Sequence, residues 1–193
     1  MFARLIHTAA AAAIAVSAFG VVPAISQDWK SELPAFRVGI LGGENEADRL
    51  RRHECLVEQL GERLGVPIEL YPASDYAGVM QGLLAGQLDA ASLGASGYAG
   101  IYLQDPEAVE PVFVALESDG SDGYYAMMYA RSDSGIESLE DMRGKSLAFA
   151  DPNSTSGYLV PKAELEIQEI NIEEYFSTTG FGGGHEKAVV AVL

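Results

Sequence analysis

A single cysteine, Cys55, excludes an internal disulfide even in an oxidising compartment, so any order in this chain must come from packing and hydrogen bonding. Histidine is nearly as scarce. His7 lies in an apolar leader, His53 in a helical pattern and His185 behind a run of glycines, a spread that suits no zinc site, so neither metal nor cofactor is expected. Basic residues number 12 against 28 acidic ones, and the formal charge of −16 argues against nucleic acid or an anionic membrane surface as a partner. That acidity also constrains anionic ligands. An anion site here must act locally, through aligned amides and hydroxyls, because salt screens the general field beyond roughly 10 Å.

Long apolar runs are also missing beyond the first residues. Arg4, the apolar stretch Ala9 to Val22 and the small-x-small Ala24-Ile25-Ser26 predict a secretory signal over residues 1–26, cleaved before Gln27. An uncleaved anchor is the alternative, but an Ala-rich run broken by Gly20 and Pro23 is weak for a span of about 20 residues. The expected product is exported, with no stable membrane insertion. Cys55 falls inside a helical pattern and is expected to serve packing.

What remains is an alternation of strand and helix patterns. Phe36 to Leu41 predicts a strand, followed by one helix to about Leu64 with Leu50, Cys55, Leu56, Leu60 and Leu64 inward and Glu46, Arg49, Arg52 and Glu62 outward. Ile68 to Tyr71, Leu88 to Leu93, Glu110 to Glu117, Tyr124 to Arg131, Ser146 to Ala150 and Tyr175 to Thr178 read as further strands. Short helices are expected after Tyr76, from the junction at 94–98, over Ser138 to Met142, at the hydroxyls of 154–156 and from His185 onward. The alternation predicts an α/β architecture with mostly parallel sheets. Ligands of such sheets sit at the carboxyl ends of the strands. The junctions there are residues 42–45, 74–76, 94–98, 153–158 and 178–185, all small, polar or aromatic.

The most telling junction is Asp151-Pro152-Asn153-Ser154-Thr155-Ser156-Gly157. A strand stopped by three turn residues and followed by three hydroxyls at a helix start leaves amide donors facing outward, where the helix dipole also favours an anion. A tetrahedral oxyanion is the expected ligand. The competing explanation is that these hydroxyls are ordinary helix caps. His185 has three open roles: a hydrogen-bond donor to the anion, a residue that merely begins a helix, or a base for Ser156 or Ser154 in a secreted serine hydrolase. Tyr76 and Tyr98, at helix starts, can donate a phenol while their rings shield the site; a core role is the alternative. Ser96 shares a junction with Tyr98. Glu44 repels a bare anion and attracts a ligand that also carries a cation. Two motifs fail on one residue each: Leu139 stands where a P-loop ending at Gly144-Lys145-Ser146 needs glycine, and Tyr98 where a nucleophile elbow around Ser96 needs one.

ADPNSTSGYLVP at 150–161, with Gly183-Gly184-His185-Glu186 downstream, resembles the periplasmic substrate-binding proteins of phosphonate, phosphite and phosphate ABC transporters. The likeness extends through FRVGILGGEN, ASDYAGVMQGLLAGQLDAASLGASGYA and LEDMRGKSLAFADPNSTSG. It implies a class II binding-protein fold, α/β with two lobes of mixed, mostly parallel sheets, and no enzymatic step. Ser154, Thr155 and Ser156 would hold the phosphonate oxygens, His185 and Tyr98 would add donors, and Tyr76 would wall the cleft. A membrane permease would be the partner. Members of that family usually run longer, so a C-terminally truncated chain is expected, with lobes over 27–128 and, incomplete, 129–193. Pro161, which has no N–H, implies that the regular helix begins after Ser156. A sensory ligand-binding module on the same fold is a further alternative.

Overall fold

The computed structural model describes residues 29–42 and 45–193. The expected signal and Glu44 lie outside the described residues. After a short helix α1 (Trp29–Glu32), the chain forms β1 (Phe36–Ile40), α2 (Glu46–Arg52), α3 (Glu54–Leu64), β2 (Ile68–Pro72), α4 (Tyr76–Leu84), β3 (Ala90–Ala91) and α5 (Ala95–Tyr102). β1 lies between β2 and β3, and both pairings are parallel. Val38 and Ile40 are buried, and Val79, Met80, Leu83 and Ile101 from α4 and α5 form a core with Leu41, Leu88 and Leu93. Gly39 and Gly82 make room for Leu88, since a Cβ on either would stand 2.6 or 2.7 Å from its Cδ1.

β3 is shorter than its sequence pattern because its approach is used otherwise. Asp89 donates its N–H to the Arg37 carbonyl (2.8 Å), and its carboxylate takes the Arg37 N–H (2.7 Å), Nε (2.9 Å) and Nη2 (2.7 Å). Hydrogen bonding from the Arg37 side chain, helped by the Arg37 backbone N–H and opposed by burial, holds the Asp89 carboxyl below its ordinary pKa. A pKa lowered in the folded state contributes stability above the unfolded value and loses it as pH falls through the folded value. Acid titration of stability should therefore show wild type and Asp89→Asn converging at low pH and diverging as pH rises above the usual carboxylate range. Parallel curves would show that the Asp89 charge contributes nothing.

The first helical stretch departs from the expected single helix. It breaks at His53, whose ring Nδ1–H donates to the Arg49 carbonyl (2.7 Å) while its backbone N–H turns to Leu50 (3.1 Å). With the carbonyl at i−4 occupied by the ring, the regular ladder stops for one residue. Arg49, expected to face solvent, is buried, and its Nη1 donates to the carbonyls of Leu41 (2.7 Å) and Ala73 (2.9 Å). It thereby ties together the backbone just beyond β1 and β2. Cys55, expected in the packing face, is exposed along with Leu56.

The second sheet pairs β4 (Ser146–Phe149) in parallel with β5 (Thr178–Phe181). Between them run α6 (Val160–Ile167) and α7 (Ile172–Tyr175), and α8 (His185–Val192) follows β5. β5 begins three residues later than the expected strand at Tyr175. Asn171 caps α7 by accepting from the Glu173 N–H (3.0 Å), so Tyr175 and Phe176 leave a helix end and join Leu165 in the second core. Residues 110–117 and 124–131, expected as strands, form none. They carry no regular structure, with Val112, Phe113 and Tyr125 more than four-fifths exposed. A segment becomes a strand only when a neighbouring ladder takes up its polar groups, and among the described residues β1 to β5 pair only with one another. The turn expected between them does form, with the Glu117 N–H donating to Ser121 (2.8 Å) and the Gly120 N–H to Glu117 (2.9 Å).

Candidate functional site: a cleft between two sheets

The carboxyl ends of both sheets meet, and four helical N-termini gather there. Asp75 caps α4, accepting from the Gly78 N–H (2.9 Å). α5 begins at Gly94, α8 at Gly184, and Ser154 caps the turn after β4 by accepting from the Gly157 N–H (3.1 Å).

That turn is wider than an α-helical one. The N–H groups of Leu159 and Val160 reach back five residues to Ser154 (3.0 Å) and Thr155. Regular α6 starts only at Val160, as Pro161 required. Without an N–H on Pro161 the Gly157 carbonyl lacks its i−4 donor, and it accepts instead from Ala150 at the end of β4 (3.0 Å). Proline chemistry thus presses the hydroxyl turn against the strand that precedes it.

Thr155 is where the two sheets are joined most closely. Its Oγ1 accepts from the Ser96 N–H (2.9 Å) and lies 3.0 Å from the Ser96 Oγ. Two hydroxyl protons serve that pair and one is consumed within it, so one remains to point elsewhere. A pair with a spare proton is suited to an acceptor-only oxyanion. Ser156, half-buried beside it, has its hydroxyl unengaged among the described residues.

Ser154 behaves differently. It is 2% exposed, and besides the Gly157 amide its Oγ meets His185 Nε2 at 3.3 Å. The Gly157 N–H takes one acceptor position of the Ser154 Oγ, and His185 is the partner on its other side. Burial pushes the Tyr76 pKa up, with the Ser154 hydrogen bond opposing, so the phenol keeps its proton. Tyr76 is itself buried, whereas His185 is exposed.

The structure therefore brings Tyr76, Ser96, Ser154, Thr155 and His185 together. Tyr98, two residues beyond Ser96, turns its ring toward Tyr102 on the same helix (centroids 6.1 Å apart). Phe149, Tyr158 and Phe181 form a ring cluster with centroids 5.0 to 5.7 Å apart at the ends of β4 and β5. Sequence reasoning missed Asp151. It is 2% exposed and accepts from the N–H groups of Asn153 (2.8 Å) and Tyr76 (3.2 Å). Its position before Pro152 marked a turn, which concealed the second bond.

The comparisons with known proteins agree on the class. Residues 38–193 match the family described as ABC transporter, phosphonate, periplasmic substrate-binding protein, and the chain belongs to that family. It is 33% identical over 157 residues to the phosphate-import protein PhnD of Mycolicibacterium smegmatis, covering 77% of this chain and 49% of the relative. The phosphonates-binding periplasmic protein of Escherichia coli is 32% identical over 168 residues, covering 82% and 47%. The crystal structure of a binding protein component of an ABC phosphonate transporter from Pseudomonas aeruginosa superposes with a TM-score of 0.72 at 28% identity, covering 82% of this chain and 53% of that one. The fold is thus that of the periplasmic binding proteins, α/β with parallel sheets. The chain spans about half the length of the curated relatives it matches.

Proposed function

We propose that this protein is the solute-binding component of an ABC importer, capturing phosphonate, phosphite or phosphate between two lobes in the periplasm and delivering it to a membrane permease. The observation that carries this reading is the pairing of Thr155 with both the amide and the hydroxyl of Ser96, which joins the two sheets at a point with a hydroxyl proton to spare. Ser156, Tyr76, Tyr98 and His185 surround the oxyanion, Ser154 holds His185, and Glu44 receives a cationic substituent where the ligand has one. The lobes divide at the exposed segment, with residues 27–128 on one side and 129–193 on the other.

No chemistry on the ligand is part of this role. A serine hydrolase needs an accessible nucleophile paired with a base, whereas Ser154 is buried and caps a turn, and among the described residues His185 pairs with Ser154 and not with Ser156. Titration calorimetry should show saturable heat with methylphosphonate, phosphite or phosphate and none with glucose. Saturable glucose binding, or no heat with any of the three oxyanions, would sink the assignment. In the same experiment Glu44→Gln should weaken 2-aminoethylphosphonate and leave phosphite unchanged or slightly tighter.

A further inference from the structure

Arg49 carries more charge than its hydrogen bonds require. Its place in the helical pattern reads as part of a solvated face, yet the residue is 7% exposed, and its Nη1 donates to the carbonyls of Leu41 (2.7 Å) and Ala73 (2.9 Å). A neutral amide can serve two carbonyls as well. Burying a guanidinium instead is costly unless an opposite charge compensates it. Arg37, Arg51, Arg131 and Lys162 each pair with a carboxylate. Among the described residues Arg49 pairs with none, and its Nε is buried without a hydrogen-bond partner.

The place of this charge is equally specific. β1 ends at Ile40 and β2 at Pro72, so the two carbonyls lie one residue beyond each strand, at the end where ligands of parallel sheets bind. The loops that follow are in backbone contact, since a Cβ on Gly42 would stand 2.4 Å from the Ser74 carbonyl oxygen and 2.6 Å from the Asp75 nitrogen. Asp75 then caps α4, which begins at Tyr76. Three residues lead from Ala73 to Tyr76, a reach of at most about 11 Å, so the guanidinium stands close behind the start of α4. In a chain of formal charge −16, a buried cation there supplies a local field of the opposite sign. Burial also shields that field from salt better than exposure would.

We propose that Arg49 is a specificity-determining residue, a buried charge behind the ends of β1 and β2 that favours doubly charged oxyanions over singly charged ones. The inference rests on the oxyanion-binding reading above. Arg49 does not touch the ligand in this role. The hydroxyls of the cleft donate to any tetrahedral oxyanion, whereas attraction to the guanidinium grows with the charge the ligand carries. At an effective dielectric of about 20 and a separation of roughly 10 to 15 Å, the second ligand charge is worth about five- to fifteenfold in affinity.

Displacement calorimetry in mildly alkaline buffer tests this with two small oxyanions. Phosphite is doubly charged there, and hypophosphite, with hydrogen in place of one oxygen, is singly charged. Arg49→Gln should narrow the wild-type preference for phosphite over hypophosphite about five- to fifteenfold, while Arg49→Lys, which keeps the charge, should hold it within about twofold. A purely structural role lowers both affinities together and leaves the preference where it was. Because the preference is taken within one preparation, a variant that folds only in part still reports it. An unchanged preference in Arg49→Gln, or an equal narrowing in Arg49→Lys and Arg49→Gln, overturns the charge role and leaves the oxyanion reading intact. A wild-type protein that binds neither phosphite nor methylphosphonate overturns that reading, and this inference with it.

Discussion

Thr155→Val combined with Ser156→Ala is expected to weaken methylphosphonate binding by about two to four powers of ten. Each substitution removes a hydroxyl donor to a charged group, worth about 1.5 to 3 kcal/mol, and the two sum if they act independently. Valine preserves the shape of Thr155 while deleting Oγ1, which also leaves the Ser96 amide and hydroxyl without their partner. Ser96→Ala provides the internal check. If the Ser96 hydroxyl serves to direct the Thr155 proton, its loss should reproduce part of the Thr155 effect, and the two losses should fall short of additive when combined. Calorimetry of the single and double variants measures both points, and an unchanged affinity in the Thr155/Ser156 pair would remove the anion site from this turn.

Gly157→Ala should be a damaging single methyl addition near the hydroxyl turn. A Cβ at that position would stand 2.4 Å from the Ala150 Cβ, 2.8 Å from the Ser154 Oγ and 3.0 Å from the His185 Cε1. Two of those neighbours cannot yield easily, because Ala150 is fixed on the strand side by its bond to the Gly157 carbonyl and Ser154 is buried in its cap. Forcing extra volume into such a contact costs about 1 to 3 kcal/mol, which for a chain of this length lowers the melting temperature by roughly 2 to 4 °C per kcal/mol. Binding should weaken too, since relief of the clash must displace Ser154 or His185. Gly180→Ala in β5 is the control, as a Cβ there meets nothing within 4 Å. Equal melting temperatures for the two variants would show that the turn after β4 is not packed as described.

Much of this cleft was legible in the residues alone, for a local reason in each case. The hydroxyl turn follows from Ser-Thr-Ser placed after a strand and three turn residues, and its late transition to a regular helix follows from a missing N–H on Pro161. The alternation of apolar runs with helical spacing carried the parallel α/β architecture, because strand and helix periods are properties of neighbouring residues. Even the turn at 118–123 was set by its own glycines and aspartates.

Tertiary structure alone decided the rest. The runs at 110–117 and 124–131 have strand composition, yet a strand is a relation between two segments, and among the described residues no ladder reaches them. Arg49 has the charge of a solvated helix face, but the carbonyls beyond β1 and β2 converge where only its guanidinium can serve both. Tyr175 fits a strand pattern and becomes a helix end because its ring is needed in the core beside Leu165 and Phe176. Asp151 sits 75 residues from the amide it serves, and Ser96 59 residues from Thr155. Sequence by itself determined which groups were available to an oxyanion; only the meeting of two sheets decided that Thr155 would share a proton with Ser96 and that a carboxylate would stand behind Tyr76, because hydrogen-bond partners far apart in the chain are selected by packing and leave no periodic trace.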